Sequence, residues 1–288
     1  MGYEEQSSQC ATPKYECLLF DLDDTLYPFS SGISMECTKN IKEFMVQKLG
    51  IEEEKVHDLC VLLYKVYGTT MAGLKAIGYN FDYDDYHSFV HGRLPYELLK
   101  PDPVLRNVLL SLPIRKVILT NSDKGHASRV LRRLGLDDCF EGIICFETLN
   151  PINKEDDNDS EVGSTSNAEI FDIIDHLQKS NEEGLLLPKT PIICKPNEDS
   201  FEQAFKIANI SPEKTLFFDD SIRNLETGKR VGLHTVLVGN SHRPKGVDYA
   251  LESIHNMREA VTELWEADEK SGEIKYSKEI GLETSVLA

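Results

Sequence analysis

Short apolar runs that end in polar residues alternate with amphipathic segments along this chain. The apolar runs predict strands at residues 16–21, 116–121, 142–146, 215–220, 234–238 and 249–251. Apolar residues at helical spacing predict helices at residues 124–134, 222–231 and 254–265. Strands that alternate with helices predict an α/β fold, a doubly wound parallel sheet with right-handed crossovers.

Between the first two predicted strands, residues 33–111 have helical periodicity almost throughout. This block is too long to be a simple crossover between neighbouring strands, so we predict an inserted helical cap domain at residues 29–112. The α/β core then consists of residues 15–28 and 113–265. Residues 153–167 have few apolar side chains and are predicted to form an acidic mobile loop within that core.

Composition narrows the class of protein. The 288 residues carry a formal net charge of −18, from 31 basic and 49 acidic residues, which disfavours a nucleic-acid polymer as partner. Seven cysteines without a Cys-x-x-Cys pair indicate reduced thiols, and we expect a cytoplasmic location with the nucleus as the alternative. The chain start does not have the features of a signal peptide, and no apolar run approaches the ~20 residues that span a membrane. The polar segments 1–14 and 266–288 are predicted to be flexible tails.

The first predicted strand ends in a pair of carboxylates. Residues i and i+2 of a strand share a face, so Asp21 and Asp23 are expected to project together at the carboxyl end of the strand, where α/β sheets bind ligands. Close carboxylates raise each other's proton affinity. Either a divalent cation relieves the repulsion or one carboxyl keeps its proton, and both arrangements suit nucleophilic and acid–base chemistry.

Polar motifs end or follow the strands in a particular order along the chain. They are Asp21-Leu22-Asp23-Asp24-Thr25, Thr120-Asn121-Ser122, Lys195-Pro196 and Asp219-Asp220-Ser221. In a parallel sheet these motifs converge on one edge. The set resembles the four motifs of the haloacid-dehalogenase-like (HAD) hydrolases over about residues 16–265.

The resemblance implies a role for each of these residues. Asp21 would be the nucleophile that forms an aspartyl-phosphate, and Asp23 would be the general acid and base. Mg²⁺ would be held by Asp21, the backbone carbonyl of Asp23, and Asp219 or Asp220. The phosphoryl group would be bound by the residues of the second and third motifs, Thr120, Asn121 and Lys195. Asp23 favours phosphoryl transfer, because the dehalogenases of the family do not have this second aspartate.

The inserted helical block resembles a C1-type cap. Further motifs resemble the pyrimidine 5′-nucleotidase-like branch, namely Asp23-Asp24-Thr25-Leu26-Tyr27-Pro28, Tyr67-Gly68-Thr69-Thr70 with Gly73-Leu74, and Phe218-Asp219-Asp220-Ser221 with Asn224. The branch implies a small phosphorylated metabolite as substrate, a nucleoside monophosphate, with cap residues Tyr67, Thr69 and Arg93 as candidate contacts. A phosphomutase, another small-metabolite phosphatase and a non-catalytic HAD fold that serves regulation remain alternatives. The sequence does not identify a protein partner.

Several residues have a structural interpretation beside the functional one. Thr120-Asn121 could cap a helix, Lys195 could be a surface lysine before a turn, and Asp219-Asp220 could be a polar turn. We expect Asp24 to be structural. His87 and His91 are four residues apart on a predicted helix, but no third ligand is evident, so a metal site there is disfavoured.

Overall fold

A computed structural model describes residues 14–151, 170–179 and 186–265. The predicted tail at residues 266–288 and the predicted acidic loop at residues 153–167 lie outside the described residues. The same holds for residues 1–13 of the predicted amino-terminal tail.

The described residues form a six-stranded parallel sheet with the order β3-β2-β1-β4-β5-β6. The strands are β1 (Cys17–Phe20), β2 (Arg115–Leu119), β3 (Gly142–Ile144), β4 (Thr215–Asp219), β5 (His234–Val238) and β6 (Tyr249–Leu251). The α/β fold class with a parallel sheet is confirmed. The chain moves outward from β1 to β3 and returns to the other side of β1 as β4, so the topological switch point lies between β1 and β4.

Eleven α-helices are found among the described residues. They are α1 (Ile33–Gln47), α2 (Glu53–Tyr67), α3 (Thr70–Ala76), α4 (Tyr83–Val90), α5 (Pro103–Leu110), α6 (Lys124–Leu134), α7 (Phe146–Leu149), α8 (Ile173–Lys179), α9 (Glu198–Ala208), α10 (Ile222–Arg230) and α11 (Met257–Ala260).

Both faces of the sheet are covered by helices, because alternate side chains of each strand are apolar on opposite faces. On one face, Leu18 and Phe20 of β1 pack in a cluster with α5, α6 and α11. On the other face, Cys17 and Leu19 pack in a cluster with α9 and α10. The sheet is therefore the middle layer of a three-layer, doubly wound core.

The inserted helical block is shorter than its predicted range of residues 29–112. The segment from α1 to α4 supplies most residues of two apolar clusters. Leu94, Leu105 and Leu109, in contrast, are buried in the same cluster as the sheet residues Phe20 and Ile118. The prediction placed α5 in the cap because helical periodicity shows that a face is buried but not which surface buries it.

The predicted carboxyl-terminal helix at residues 254–265 is also corrected. A 3₁₀ turn precedes α11, which ends at Ala260, and a second 3₁₀ turn follows over Thr262–Leu264. The backbone of Val261 leaves the helical region with φ −125° and ψ 56°. Leu264 and Trp265 are buried in the same core cluster as α5, and the Trp265 indole Nε1 donates to Ser111 Oγ at 3.0 Å.

The cap, defined here as α1 to α4, is joined to the core by shared apolar and polar contacts. Phe146, Ile192 and Cys194 of the core belong to one of the cap's apolar clusters. The Tyr67 hydroxyl donates to Pro188 O at 3.0 Å, and the hydroxyl of Thr190 donates to a carbonyl of α3. No helix among the described residues is long and apolar enough to cross a membrane.

At Gly68 the cap backbone lies close to the core backbone. Gly68 follows α2 with φ +91°, and a Cβ at this position would lie 2.3 Å from Lys195 O and 2.7 Å from Pro196 Cδ. Gly50 has a similar φ of +68°, but a Cβ there would meet no atom within 4 Å. Both positions have a φ that strains any residue with a Cβ, and only at Gly68 would the Cβ also clash.

We expect Gly50→Ala to lower the free energy of unfolding by about 1–2 kcal/mol, the cost of a left-handed conformation for alanine. Gly68→Ala should lower it by clearly more, because the Lys195 backbone must also move. Urea unfolding of both variants checks this. Equal losses would show that the cap and core backbones do not depend on this contact.

Candidate active site

Three carboxylates and one ammonium group meet at the carboxyl ends of β1 and β4. Asp21 directly follows β1, Asp219 ends β4, and Asp220 follows it. Their carboxylate oxygens lie within 4.8 Å of one another. The Lys195 ammonium lies 2.7 Å from Asp21 Oδ1 and 2.7 Å from Asp219 Oδ2. The sheet thus brings together residues that are almost 200 positions apart, as the sequence analysis predicted.

Lys195 is a buried residue, so its interpretation as a surface lysine is wrong. Only 1% of it is exposed. Burial disfavours the charged form, but Asp21 and Asp219 outweigh that effect and raise the pKa of Lys195 above its ordinary value. The Asn121 side chain holds the lysine backbone in place, since its amide Nδ2 donates to Lys195 O at 2.9 Å and its Oδ1 accepts from Lys195 N at 2.8 Å.

Asp219 and Asp220 have different surroundings. Asp219 is completely buried and accepts hydrogen bonds from Lys195, from Ser221 N at 2.8 Å, and from Asn224 Nδ2 at 3.0 Å. Asp220 is exposed and lines the pocket described below. The pair is therefore a built part of the site, and its interpretation as a polar turn is wrong. Asp219 fixes Lys195, whereas Asp220 offers its carboxylate to the pocket.

The carboxylates outnumber the nearby positive charges, and the pKa values of two of them are raised. Burial, together with Asp219 and Asp23, raises the pKa of Asp21 to about 7 in spite of Lys195. Loss of surrounding water at the pocket floor and the carboxylates of Asp219 and Asp21 raise the pKa of Asp220 to about 8. Such a site gains stability from a proton or from a bound cation.

Asp23 has a separate environment. The His126 ring Nε2 lies 2.7 Å from Asp23 Oδ1, Ser122 Oγ donates to Oδ2 at 3.0 Å, and the Tyr27 hydroxyl donates to Oδ1. Although burial favours the protonated form, the charge of His126 and these hydrogen bonds hold the pKa of Asp23 well below its usual range.

The hydrogen bonds of His126 connect Asp23 with the cap. Its Nε2 lies 2.7 Å from Asp23 Oδ1, and its Nδ1 lies 2.8 Å from the Tyr96 hydroxyl, which also lies 3.0 Å from His91 O. In spite of burial, the carboxylate of Asp23 raises the pKa of His126 above its ordinary value and so favours the protonated ring.

The second motif faces the same pocket. Thr120 Oγ1 accepts from Ser122 N at 3.1 Å and lies 2.6 Å from Ser122 Oγ. Helix α6 is capped by Asp123, whose Oδ1 accepts from His126 N at 3.0 Å. The alternative interpretation of Thr120-Asn121 as the helix cap is therefore wrong.

A pocket of about 250 Å³ is lined by Asp21, Asp23, Lys195 and Asp220 and by residues of the cap. Among the predicted cap contacts, Thr69 lines this pocket, but its Oγ1 caps α3 by accepting from Ala72 N at 3.1 Å. Tyr67 and Arg93 are not among the described residues that line it. Arg93 pairs with Glu43 at 2.6 Å and packs on Phe89 instead.

The sequence analysis missed pocket residues outside the four motifs. Tyr64, 48% exposed, lines the pocket mouth with Arg223, whose guanidinium lies 4.5 Å from the Tyr64 ring centroid. His126 was missed although it has a signal in the sequence. It lies in the first turn of the helix after β2, and that turn begins at the edge of the sheet where the motifs meet.

Asp24 lines the pocket and makes a structural contact, and its structural role stays a prediction. Its φ is +59°, a conformation that aspartate tolerates, and its Oδ1 accepts from Ser34 Oγ of α1 at 2.7 Å. The side chain therefore ties the first cap helix to the end of β1.

Comparisons with known proteins agree with this arrangement. A model of the haloacid dehalogenase-like hydrolase family matches residues 15–232. Phosphate metabolism protein 8 of Saccharomyces cerevisiae is 26% identical over 251 residues, 84% of this chain and 66% of that protein, slightly less than two thirds of its length.

Solved structures also align with the chain. A HAD phosphatase from Thermococcus onnurineus aligns with TM-score 0.48 and 17% identity, covering 85% of this chain and 96% of that one. CbbY from Rhodobacter sphaeroides in complex with phosphate aligns with TM-score 0.49 and 16% identity, covering 84% and 96%.

We expect Lys195→Met to lower the free energy of unfolding by about 3–5 kcal/mol, because Asp21 and Asp219 would be left buried without their cation. The loss should be smaller at mildly acidic than at alkaline pH, since uptake of protons removes the cost of two buried charges. Denaturant unfolding at both pH values measures it.

Lys116→Met is the matched control. Its ammonium is also buried, but it donates to the carbonyls of Leu112 and Ile114 at 2.6 and 2.9 Å. That variant should lose less stability and show no comparable pH dependence. Equal behaviour of the two variants would contradict the proposed charge balance.

Proposed function

The chain belongs to the haloacid dehalogenase-like hydrolase family, and we propose that it is a Mg²⁺-dependent phosphomonoester hydrolase acting through an aspartyl-phosphate on Asp21. The observation that carries the proposal is the group of three carboxylates around one buried lysine, with Asp23 two residues beyond Asp21. The name of the yeast relative, which refers to phosphate metabolism, agrees with it.

The donor set suits Mg²⁺, which prefers oxygen ligands and keeps several of its waters. Asp21 and Asp220 would hold the ion together with the backbone carbonyl of Asp23. Asp219 would act through Lys195, because its own oxygens already accept protein hydrogen bonds. When bound, the ion would neutralise charge on the phosphoryl oxygens and on the attacking carboxylate.

Asp21 would attack the phosphorus atom, and the bond from phosphorus to the ester oxygen would break as the Asp21–phosphorus bond forms. Lys195 reduces the repulsion between the two anions and fixes the orientation of the Asp21 side chain. Thr120 and the backbone N–H of Asn121 would bind phosphoryl oxygens. Hydrolysis of the aspartyl-phosphate by water then restores Asp21.

Asp23 would give a proton to the leaving oxygen and take one from the attacking water. Its pKa in the free protein is low, so it needs a proton source. His126, whose Nε2 lies 2.7 Å from the carboxylate and whose pKa the carboxylate raises, would supply that proton and recover it during hydrolysis.

For the substrate we propose a nucleoside 5′-monophosphate, with a pyrimidine base as the subfamily resemblance implies. The pocket that holds Asp21 opens beside Tyr64 and Arg223, which offer a flat cation–aromatic surface to a base or sugar. These two residues replace Tyr67 and Arg93 as the proposed contacts.

Asp21→Asn should lower the rate of phosphate release from p-nitrophenyl phosphate by several orders of magnitude while the protein stays folded, because the proposed mechanism loses the carboxylate that attacks phosphorus. A colorimetric turnover assay with circular dichroism checks both points. Absence of activity in the wild-type chain as well would support the alternative of a non-catalytic HAD fold.

Asp220→Asn should weaken Mg²⁺ binding by about tenfold or more in isothermal titration calorimetry, because a ligand charge is lost from a site of few protein ligands. Asp24→Asn is the control, since asparagine tolerates the positive φ and can still accept from Ser34. It should retain Mg²⁺ affinity. Full turnover of the wild type after removal of Mg²⁺ by EDTA would rule out the proposed cofactor.

Arg223→Ala should lower kcat/KM for UMP about tenfold, because the surface beside the base is lost, and should change kcat/KM for p-nitrophenyl phosphate far less. Arg93→Ala, which removes an arginine away from the pocket, should change neither. Equal losses on both substrates in Arg223→Ala would remove the support for nucleotide recognition at this surface.

A further inference from the structure

Two cap histidines and one core aspartate converge on one point between α4 and α6. His87 and His91 are one turn apart on the same face of the cap helix, and Asp123 caps α6 of the core. His87 Nδ1 lies 3.6 Å from Asp123 Oδ2, and His91 Nδ1 contacts the same oxygen. One ligand atom from each residue lies within 4.8 Å of the other two.

Burial of the His87 imidazole is unfavourable in free energy, and hydrogen bonds to other described residues do not offset this cost. It is only 8% exposed, and neither of its ring nitrogens has a hydrogen-bond partner among the described residues. A buried imidazole without a partner is destabilising. Its ring packs edge-on against Phe146 with centroids 4.7 Å apart, a contact that phenylalanine would make as well. Packing therefore does not explain why the side chain at this position carries two ring nitrogens.

The charged groups around the cluster leave His87 neutral. Burial, with the neighbouring His91, lowers the pKa of His87 to about 4. Asp123 contacts His91 Nδ1 but lies beyond hydrogen-bond distance of His87 Nδ1. The ring centroids of His126 and His91 are 4.6 Å apart, and the ring nitrogens of His126 contact Asp23 and Tyr96. Glu147 accepts from Lys124 N at 2.9 Å.

We propose that His87, His91 and Asp123 form a second metal site, for a divalent ion such as Zn²⁺, which fastens the cap to the core. Two imidazole nitrogens and one carboxylate oxygen are a common set of Zn²⁺ ligands, whereas Mg²⁺ prefers oxygen alone. Ligand atoms of a tetrahedral zinc ion are separated by about 3.3 Å, close to the His87–Asp123 distance. His91 Nδ1 and Asp123 Oδ2 must move apart as the ion replaces the hydrogen between them.

The site has a route for the ion and a place for a water ligand. A cavity of about 210 Å³ is lined by all three residues and by Ser88, Arg129 and Glu147. Both histidines also line the pocket that holds Asp21, but Asp123 does not. The two proposed metal sites thus share no ligand and differ in donor chemistry.

The test uses the full chain, freed of metal and then saturated with Mg²⁺ so that the carboxylate site is filled. Titration with Zn²⁺ should give one further equivalent bound and a higher melting temperature. Co²⁺ in its place should give the intense visible absorption of a four-coordinate ion with nitrogen ligands. Failure to bind Zn²⁺ beyond the Mg²⁺ site would overturn the proposal, whatever the protein's turnover.

Two variants and one control identify the ligands. His87→Phe removes a ligand but no protein hydrogen bond, and Asp123→Asn keeps a side-chain acceptor for the cap of α6. Each should lower Zn²⁺ affinity about tenfold or more and abolish the Co²⁺ absorption, while His87→Phe without Zn²⁺ melts no lower than the wild type.

His176→Phe is the control, because its Nε2 is also buried without a partner but lies outside the cluster. It should bind Zn²⁺ as the wild type does. Unchanged Zn²⁺ affinity in His87→Phe, or an equal loss in His176→Phe, would overturn the assignment of the ligands.

Discussion

The ion pairs of the buried Lys195 ammonium are the interaction on which the rest of the site depends. Asp21 and Asp219 end or follow the two strands on either side of the topological switch point, and the lysine joins them at 2.7 Å each. Without this cation, two buried carboxylates would face each other in a medium of low dielectric constant, which is strongly unfavourable. With it, the region still holds more negative than positive charge, which favours a further cation.

The position of Lys195 is fixed from the cap as well as from the core. The Asn121 side chain makes two hydrogen bonds to its backbone, and Gly68 at the end of α2 leaves room for its carbonyl. Cys194, the preceding residue, lies in an apolar cluster that contains residues of both the cap and the core. Movement of the cap would therefore shift the Lys195 ammonium, which contacts Asp21. This link offers a physical route from substrate recognition to the reacting group.

A second polar network lies beside the first. His126 contacts Asp23, and Tyr96 connects His126 to the backbone of His91 in the cap. Asp123 caps the helix that carries His126 and contacts His91 at the same time. Asp23 and the cap thus share neighbours. If Asp23 is the acid and base that we propose, closure of the cap and proton transfer would be linked through these few hydrogen bonds.

The sequence alone predicted the parallel α/β core and the meeting of Asp21, Thr120 and Asp219, because residues at the carboxyl ends of parallel strands lie at one edge of the sheet. Lys195 follows no strand among the described residues, and the tertiary structure places its ammonium between Asp21 and Asp219. The sequence did not determine where α5 packs, since periodicity shows a buried face and not its partner. For the same reason it did not show that Tyr67 and Arg93 lie outside the pocket lining, or that Asp123 completes the His87–His91 cluster from 32 residues beyond His91. Contacts between cap and core depend on how two layers dock, and only the tertiary structure decides that.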